Sequence, residues 1–600
     1  MCGIVGYSGN KNAINVLLDG LKALEYRGYD SAGIAYRTCN RIEIIKASGK
    51  IVNLEKKLKK NTNSNMGIGH TRWATHGKPN ETNSHPHRIG KFTIVHNGII
   101  ENYESLKKLL IQNGYKFKTE TDSEVIAGLL DKLYSEKNDI LKVIVELKKL
   151  LIGSYALGII CDDIPDKIYA VRKDSPLIIG IGDNENFIAS DVPAILKYTN
   201  KYMILDDSEI AQINDKVNIY NDKLDIVFKE AITFEGNLEV AEKNGYEHFM
   251  LKEIHEQPEV VKNTVSPFLK NGLESLNDNM PDFSKYNKID IIGCGSAYHA
   301  GLIGKSLIEK YADIPVNVYV ASEYRYKKIF TDEQTLVILI SQSGETADTL
   351  ACLRKVHEMG INTLAIVNVI GSSLAREADK TIYTKAGPEI SVATTKAYLA
   401  QITILSLIAL AIGYNKKLIS EKKALEIIDS YEKLPSIIEK LTCYDYKNIA
   451  KALYKKNNCF YIGRGIDYAL SMEGSLKLKE ISYITSVAYP AGELKHGTIS
   501  LIEDGTNVIA IVTDKSIADK TISNIKEVKS RGAVITLIVA DKIDDDFDFA
   551  DYKVITPSVN DFISPMVSAI PLQLIGYMTA KLKGCDIDKP KNLAKSVTVE

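Results

Sequence analysis

The sequence predicts an α+β domain of stacked sheets with helices, followed by two α/β units with parallel sheets. Three observations predict it. Up to about residue 218, short strand-like runs and amphipathic helices mix without regular alternation, the pattern of a layered α+β domain. Beyond about residue 285, strands alternate with helices, which calls for parallel sheets covered on both faces. A strand running into a Gly-x-Gly turn and a helix also occurs twice there, as Ile289-Asp290-Ile291-Ile292-Gly293-Cys294-Gly295 and Phe460-Tyr461-Ile462-Gly463-Arg464-Gly465, the mark of an internal duplication.

Taken in order, Cys2–Tyr7 alternates small and apolar residues as a strand. Ile14, Leu17, Leu18, Leu21 and Leu24 fall at helical spacing. Short strands are expected at 34–36, 42–46, 92–96, 155–161, 167–171 and 187–189, and helices at 103–113 and 123–134. From 219 to 284 polar residues dominate, with Gly236, Gly245, Pro258 and Pro267 as punctuation, so this stretch reads as a connector holding one helix at 246–257. The first α/β unit is placed at 285–425, with strands at 336–340 and 363–367, and the second at 450–590, with strands at 508–512 and 534–539. A tail, 591–600, closes the chain.

The 600 residues suffice for several full-sized cores, and 75 Lys and Arg against 76 Asp and Glu leave a net charge of −1. No long block of one sign argues for nucleic acid or an acidic membrane surface. The 8 cysteines form no C-x-x-C pair, so a reduced cytoplasmic setting is expected. No signal peptide is expected at Met1-Cys2-Gly3. The most apolar run, Ile402 to Ile412, is shorter than the ~20 residues that span a bilayer. It reads as a buried core helix, and Phe562 to Met578, broken by Pro565 and Pro571, as core or interface. His70, His76, His85, His87 and His96 cluster in one window. Their spacing matches no common metal motif, and they are expected in loops around a polar cleft.

Chemistry is suggested at two places. Removal of Met1 would give Cys2 both a thiol and an α-amine, so that the amine could serve as base for its own nucleophile. The turn Ser341-Gln342-Ser343-Gly344-Glu345-Thr346 packs three hydroxyls and an amide between a parallel strand and a helix, where doubly wound sheets bind ligands. Free N–H groups at the helix start favour a phosphate there. A dinucleotide reading of Gly293-Cys294-Gly295 fails at its third glycine, where Tyr298 stands, as Tyr468 does in the second copy. The second copy has Thr513-Asp514-Lys515-Ser516 at the turn, and an acidic residue disfavours phosphate, so one main phosphate site is expected.

The segments 1–6, Glu25-Tyr26-Arg27-Gly28-Tyr29-Asp30-Ser31-Ala32-Gly33, His70-Thr71-Arg72-Trp73-Ala74-Thr75-His76-Gly77 and His96-Asn97-Gly98-Ile99 resemble the N-terminal-nucleophile glutamine amidotransferases. The C-terminal half resembles paired sugar isomerase (SIS) domains. The combination, ending in Asn592-Leu593-Ala594-Lys595-Ser596-Val597-Thr598-Val599-Glu600, is similar to the isomerising glutamine–fructose-6-phosphate aminotransferases along essentially the whole chain. The resemblance implies an N-terminal-nucleophile glutaminase domain followed by two SIS domains. The substrates would be L-glutamine and D-fructose 6-phosphate, the products L-glutamate and D-glucosamine 6-phosphate, at the first step of amino-sugar synthesis. It further implies a homodimer through the SIS domains and no cofactor or metal, because amination is followed by an internal proton shift.

By the same resemblance Cys2 attacks the glutamine amide, and Asn97 with the Gly98 N–H forms the oxyanion hole, where losing one donor costs on the order of 10²–10³ in rate. Arg72 would pair with the α-carboxylate and Asp122 with the α-ammonium, Thr75 and His76 would line the pocket, and Trp73 would gate the ammonia route. Ser296, Ser341, Gln342, Ser343 and Thr346 would form the sugar-phosphate shell, with Val392 and Thr394 alongside. Lys477 belongs to the catalytic set, Glu480 would move the proton between C1 and C2, His496 would open the sugar ring, and Lys595 would form a Schiff base with the C2 ketone, which requires a neutral amine. Two motifs depart from the family pattern. Cys294-Gly295-Ser296-Ala297 replaces the usual Cys-Gly-Thr-Ser, and Thr498 replaces a proline after Lys495-His496-Gly497. Two other readings stand beside this one. Met203-Ile204-Leu205-Asp206-Asp207-Ser208 superficially echoes a phosphoribosyl-diphosphate loop but lies too early and lacks the following Arg-Gly-Thr. A sugar-phosphate sensor without catalysis would leave the amidotransferase residues unused.

Overall fold

In a computed structural model, the described residues are 2–38, 41–59, 62–74, 76–234 and 243–598. They fall into two compact units, Met1–Glu242 with Ala594–Glu600, and Lys243–Leu593.

Among the described residues of the first unit, eight strands form one antiparallel sheet, in the order Ile232–Thr233, Lys201–Ile204, Ile178–Ile181, Glu185–Ala189, Gly3–Gly9, Met66–Arg72, Ser31–Arg37 and Ile42–Ser48. Seven form a second, in the order Ile226–Val227, Val217–Tyr220, Ile210–Ile213, Ile164–Lys173, Gly153–Cys161, Phe92–Ile100 and His87–Ile89. Strand periodicity sends neighbouring residues to opposite faces. Ile4 packs with Ile68, Val95, Ile160 and Ile188 between the sheets, while Val5 packs outward with Leu17 and Leu21 of the helix Ala13–Ala23. The helices Ser123–Lys137 and Ile140–Leu150 cover the outer face of the second sheet. The layers are therefore helix, sheet, sheet, helix, and the expected strands lie inside longer observed ones, except that the first begins at Gly3 rather than at Cys2.

The second unit holds two five-stranded parallel sheets of the same order. The first runs Val316–Val320, Lys288–Gly293, Thr335–Ser341, Thr363–Val367, Lys380–Tyr383, and the second Thr485–Pro490, Asn458–Gly463, Asn507–Val512, Val534–Ala540, Tyr552–Thr556. In both, strand order reverses between the first and third strands of the copy, which opens a ligand crevice at their carboxyl ends. The apolar run 402–412 lies in the helix Lys396–Asn415, long and apolar enough by composition to cross a membrane yet 94% buried over that stretch. The 562–578 run lies in the helix Ser564–Lys583, which continues through Pro571 and is likewise buried nearly all round. Neither proline stops it: Pro565 sits in the first turn, where its missing N–H costs nothing.

The stretch 219–284 divides between the units. Ile226–Val227 and Ile232–Thr233 pair as edge strands of the two first-unit sheets. Phe249–His255, Gln257–Leu269 and Leu273–Asn279 are helices whose Met250, Ile254, Val261, Phe268 and Leu276 enter the second unit's core. The edge strands are two residues long and largely exposed, so they carry no hydrophobic alternation, and Pro258 lies in the first turn of its helix rather than in a loop. Gly236 lies outside the described residues.

Candidate active sites

Cys2 precedes the strand Gly3–Gly9, which pairs with Met66–Arg72 so that Gly3 faces Thr71. The register sets the half-buried thiol against the turn after Arg72. The Trp73 N–H donates to Cys2 Sγ at 3.2 Å, and Sγ lies 3.5 Å from the Trp73 carbonyl. Desolvation pushes the Cys2 thiol up, while the Trp73 N–H and the Arg72 charge pull the other way. Asn97, on the neighbouring sheet, donates from Nδ2 to the Cys2 carbonyl at 3.0 Å and to Ser190 Oγ at 2.8 Å. Gly98 has φ of +128°, and a Cβ there would lie 2.0 Å from the Ser154 carbonyl oxygen, so only glycine fits.

His70 orients Asn97. Its Nε2 lies 2.9 Å from the His96 carbonyl and 3.0 Å from Asn97 Oδ1, two acceptors, so Nε2 carries the proton and the Asn97 NH₂ is turned toward Cys2. Burial lowers the His70 pKa to about 3, and His85, His87 and His96 are likewise pushed down by burial. The His70 and His85 rings stack at 4.0 Å, and the His96 N–H donates to His85 Nδ1 at 3.3 Å. These four are thus neutral, buried imidazoles rather than loop residues around a polar cleft. His70, His87 and His96 lie on strands, where side chains from both sheets enclose them. Only His76 is a half-buried loop residue, its ring edge-on to Tyr103 at 5.4 Å. Among the described residues no three His, Cys, Asp or Glu side chains converge on a metal position.

Arg72 donates to the carbonyls of His76, Gly77 and Lys78, and so shapes the loop after Trp73. Asp122 is buried and accepts the Ile100 N–H at 2.9 Å. The Trp73 ring stands edge-on to Tyr29 at 5.7 Å. Thr75 lies outside the described residues.

In the second unit, Ser341 ends its strand and its Oγ accepts the Gly344 N–H at 3.0 Å while lying 3.0 Å from Thr346 Oγ1. The Glu345 N–H donates to Ser343 Oγ at 3.2 Å, and Gln342 is half-buried beside them. Ser296, the first residue of the helix Ser296–Ala312, does not point to that turn with its hydroxyl: it donates to Glu473 Oε1 at 2.9 Å. Glu473 also meets His299 Nδ1 at 2.8 Å and Lys477 Nζ at 3.5 Å, and Lys477 donates to Glu480 Oε2 at 2.6 Å. Burial opposes the Lys477 charge, but the two carboxylates outweigh it and raise its pKa. A continuous polar chain therefore links the two SIS-like copies. Thr394 donates to Glu389 Oε2 at 2.6 Å, and the Val392 N–H to the Asp588 carbonyl at 3.0 Å. His496 ends the short 3-10 helix Ala491–His496 and is exposed. Lys595 is half-buried in the tail that groups with the first unit.

His70, Ser190 and Glu473 are absent from the expected set. Glu473, Lys477 and Glu480 follow at i, i+4 and i+7 on one helix face, a spacing that flags Glu473. Ser190 meets Asn97 across 93 residues, with no local signal.

The family model described as "Glutamine amidotransferase domain" matches residues 70–197, and that described as "SIS domain" matches residues 282–411 and 452–582. Curated proteins named glutamine–fructose-6-phosphate aminotransferase [isomerizing] are similar from end to end. That of Caldanaerobacter subterraneus subsp. tengcongensis is 50% identical, with 100% of both chains covered. The Clostridium tetani protein is 49% identical and the Methanosarcina mazei protein 44%, again over 100% of each chain. The solved C-terminal domain of glucosamine-fructose-6-phosphate aminotransferase from Francisella tularensis superposes with a TM-score of 0.54 at 38% identity, covering 58% of this chain and 99% of that one.

Proposed function

The chain belongs to the isomerising glutamine–fructose-6-phosphate aminotransferases, and we propose how its residues divide that family's reaction. The enzyme transfers ammonia from L-glutamine to D-fructose 6-phosphate and isomerises the product to D-glucosamine 6-phosphate. With Met1 removed, Cys2 Sγ adds to the side-chain carbonyl carbon of glutamine, and its proton passes through the α-amine to the departing nitrogen. Asn97 Nδ2 and the Gly98 N–H hold the oxyanion, the incoming oxygen competing with Ser190 for the Asn97 amide. Arg72 and Asp122 grip the α-carboxylate and α-ammonium, with Trp73, Thr75 and His76 around them. Water then cleaves the thioester to glutamate.

In the sugar half, Ser341, Gln342, Ser343 and Thr346 hold the phosphate, with Val392 and Thr394 alongside. Ser296 serves the Glu473 side of the crevice through its hydroxyl. His496 moves the proton that opens the ring, and Lys595 condenses with the C2 ketone, losing water. Ammonia displaces Lys595 to leave an imine at C2. Glu480, held by Lys477, takes a proton from C1 and returns one to C2 while the C1 hydroxyl proton passes to the imine nitrogen, which leaves an amine at C2 and an aldehyde at C1. A cytoplasmic homodimer formed through the SIS domains fits this reading.

The observation that supports the glutaminase half most strongly is the Asn97 amide, turned by His70 toward Cys2. Cys2→Ala is expected to abolish glutamine-dependent synthesis while leaving conversion of fructose 6-phosphate to glucose 6-phosphate measurable. Equal loss of both activities would mean that the two sites are not separable.

A further inference from the structure

The duplicated crevices differ at several residues, of which one fills the crevice itself, while the acidic Asp514 of the second turn is engaged in its own loop, accepting the Ser516 N–H at 2.9 Å and hydroxyl at 2.6 Å. The strand registers set Ile292 beside Leu339 in the first copy and Ile462 beside Ala510 in the second. Counting on from these pairs, Gln342 and Ser343 correspond to Thr513 and Asp514, and Ala297 corresponds to Asp467. The turns match in shape as well: Gly295 has φ 55° and ψ −126°, Gly465 φ 56° and ψ −125°.

In the second copy, the Asp467 carboxylate, 2% exposed, fills the place between turn and strand end. The Thr513 N–H donates to Oδ2 at 2.8 Å, the Thr513 hydroxyl to Oδ1 at 2.5 Å, and the Asp514 N–H to the same carboxylate. Two amides and a hydroxyl converging at the carboxyl end of a parallel strand form an oxyanion-binding set. In the first copy the corresponding side chain is the methyl group of Ala297, which offers no carboxylate to the Ser341–Thr346 turn. The turn of the second copy also carries Arg464, whose Nη2 donates to Asn524 Oδ1 at 2.8 Å and whose buried Nε has no hydrogen-bond partner.

We infer that Asp467 is the built-in occupant of the second crevice, a carboxylate standing where a phosphate would sit, and that it thereby limits each chain to one sugar-phosphate site. Ala297 is the complementary determinant: its small side chain leaves the first crevice open. The absence of a hydroxyl at position 297 is then no defect, since what the site requires there is the lack of an anion. The inference rests on the assignment of the first crevice to the sugar phosphate.

Equilibrium dialysis of the full-length protein with inorganic phosphate reads the site count. Asp467→Ala is expected to bind one phosphate per chain more than the unmodified protein. A folded Asp467→Ala protein with no gain would overturn the inference. The unmodified protein's own count tests the first crevice separately, because a count of zero there would refute that assignment while the gain in the variant remained readable. Where Asp467→Ala does not fold, Ala297→Asp decides: it is expected to lose one phosphate per chain and to raise KM for fructose 6-phosphate at least tenfold, and unchanged values would overturn the inference.

Discussion

His70, His85, His87 and His96 bring four imidazoles into the interior of the first unit, and burial keeps each from taking a proton. Unfolded, they would titrate near the ordinary histidine value of about 6.5. The native state therefore binds fewer protons than the unfolded state below that pH, and stability falls as pH falls from about 6.5 toward the folded His70 value of about 3. Each such group contributes at most about 1.4 kcal/mol per pH unit where its unfolded form is protonated and its folded form is not. Trp73, the chain's one tryptophan, lies in this unit and reports on it by fluorescence. The urea midpoint read from Trp73 should drop steeply between pH 7 and pH 5. A flat midpoint would mean that these rings accept protons inside the fold.

The same residues mark how far the sequence is legible. Cys2, Arg72, Asn97, Gly98 and Asp122 stand in short motifs whose chemistry is local, and the fold brings Cys2, Arg72 and Asn97 together. In the sequence the histidine cluster reads as loop residues, because His70 and His96 sit in strands whose burial depends on the facing sheet. Ser296 carries a hydroxyl suited to a phosphate, yet it bonds Glu473, 177 residues away, a partner that no local pattern discloses.

Among the elements, the inner strands of the parallel units are the most readable, because runs such as 336–340 and 508–512 are continuously apolar and followed by a turn. The outer strands Val316–Val320, Lys380–Tyr383, Thr485–Pro490 and Tyr552–Thr556 are interrupted by polar residues and go unread. So do the edge strands near residues 226 and 232, since two exposed residues carry no periodicity. The described residues after Leu593 have no regular structure to read, and only the family resemblance assigns Lys595 a role. Borohydride reduction in the presence of fructose 6-phosphate should attach the sugar to Lys595. Trapping on a different lysine, with Lys595 unmodified, would remove it from the mechanism.

At the scale of the molecule, the residues proposed for glutamine lie in the first unit and those proposed for the sugar lie in the second, except Lys595, whose tail groups with the first. In the proposed reading, Cys2 with Asn97 and Gly98 releases ammonia. Glu480, Lys477 and the turn 341–346 belong to the other unit, where the polar chain from Ser296 through Glu473 to Glu480 joins the duplicated copies. The joint reaction is read most directly by giving the enzyme fructose 6-phosphate and glutamine carrying a heavy-nitrogen label at its side-chain amide, then analysing the products by mass spectrometry. The expected result is glucosamine 6-phosphate with the label on its C2 amine, formed in step with glutamate. Glutamate released without any labelled amino sugar would refute the coupling of the two halves.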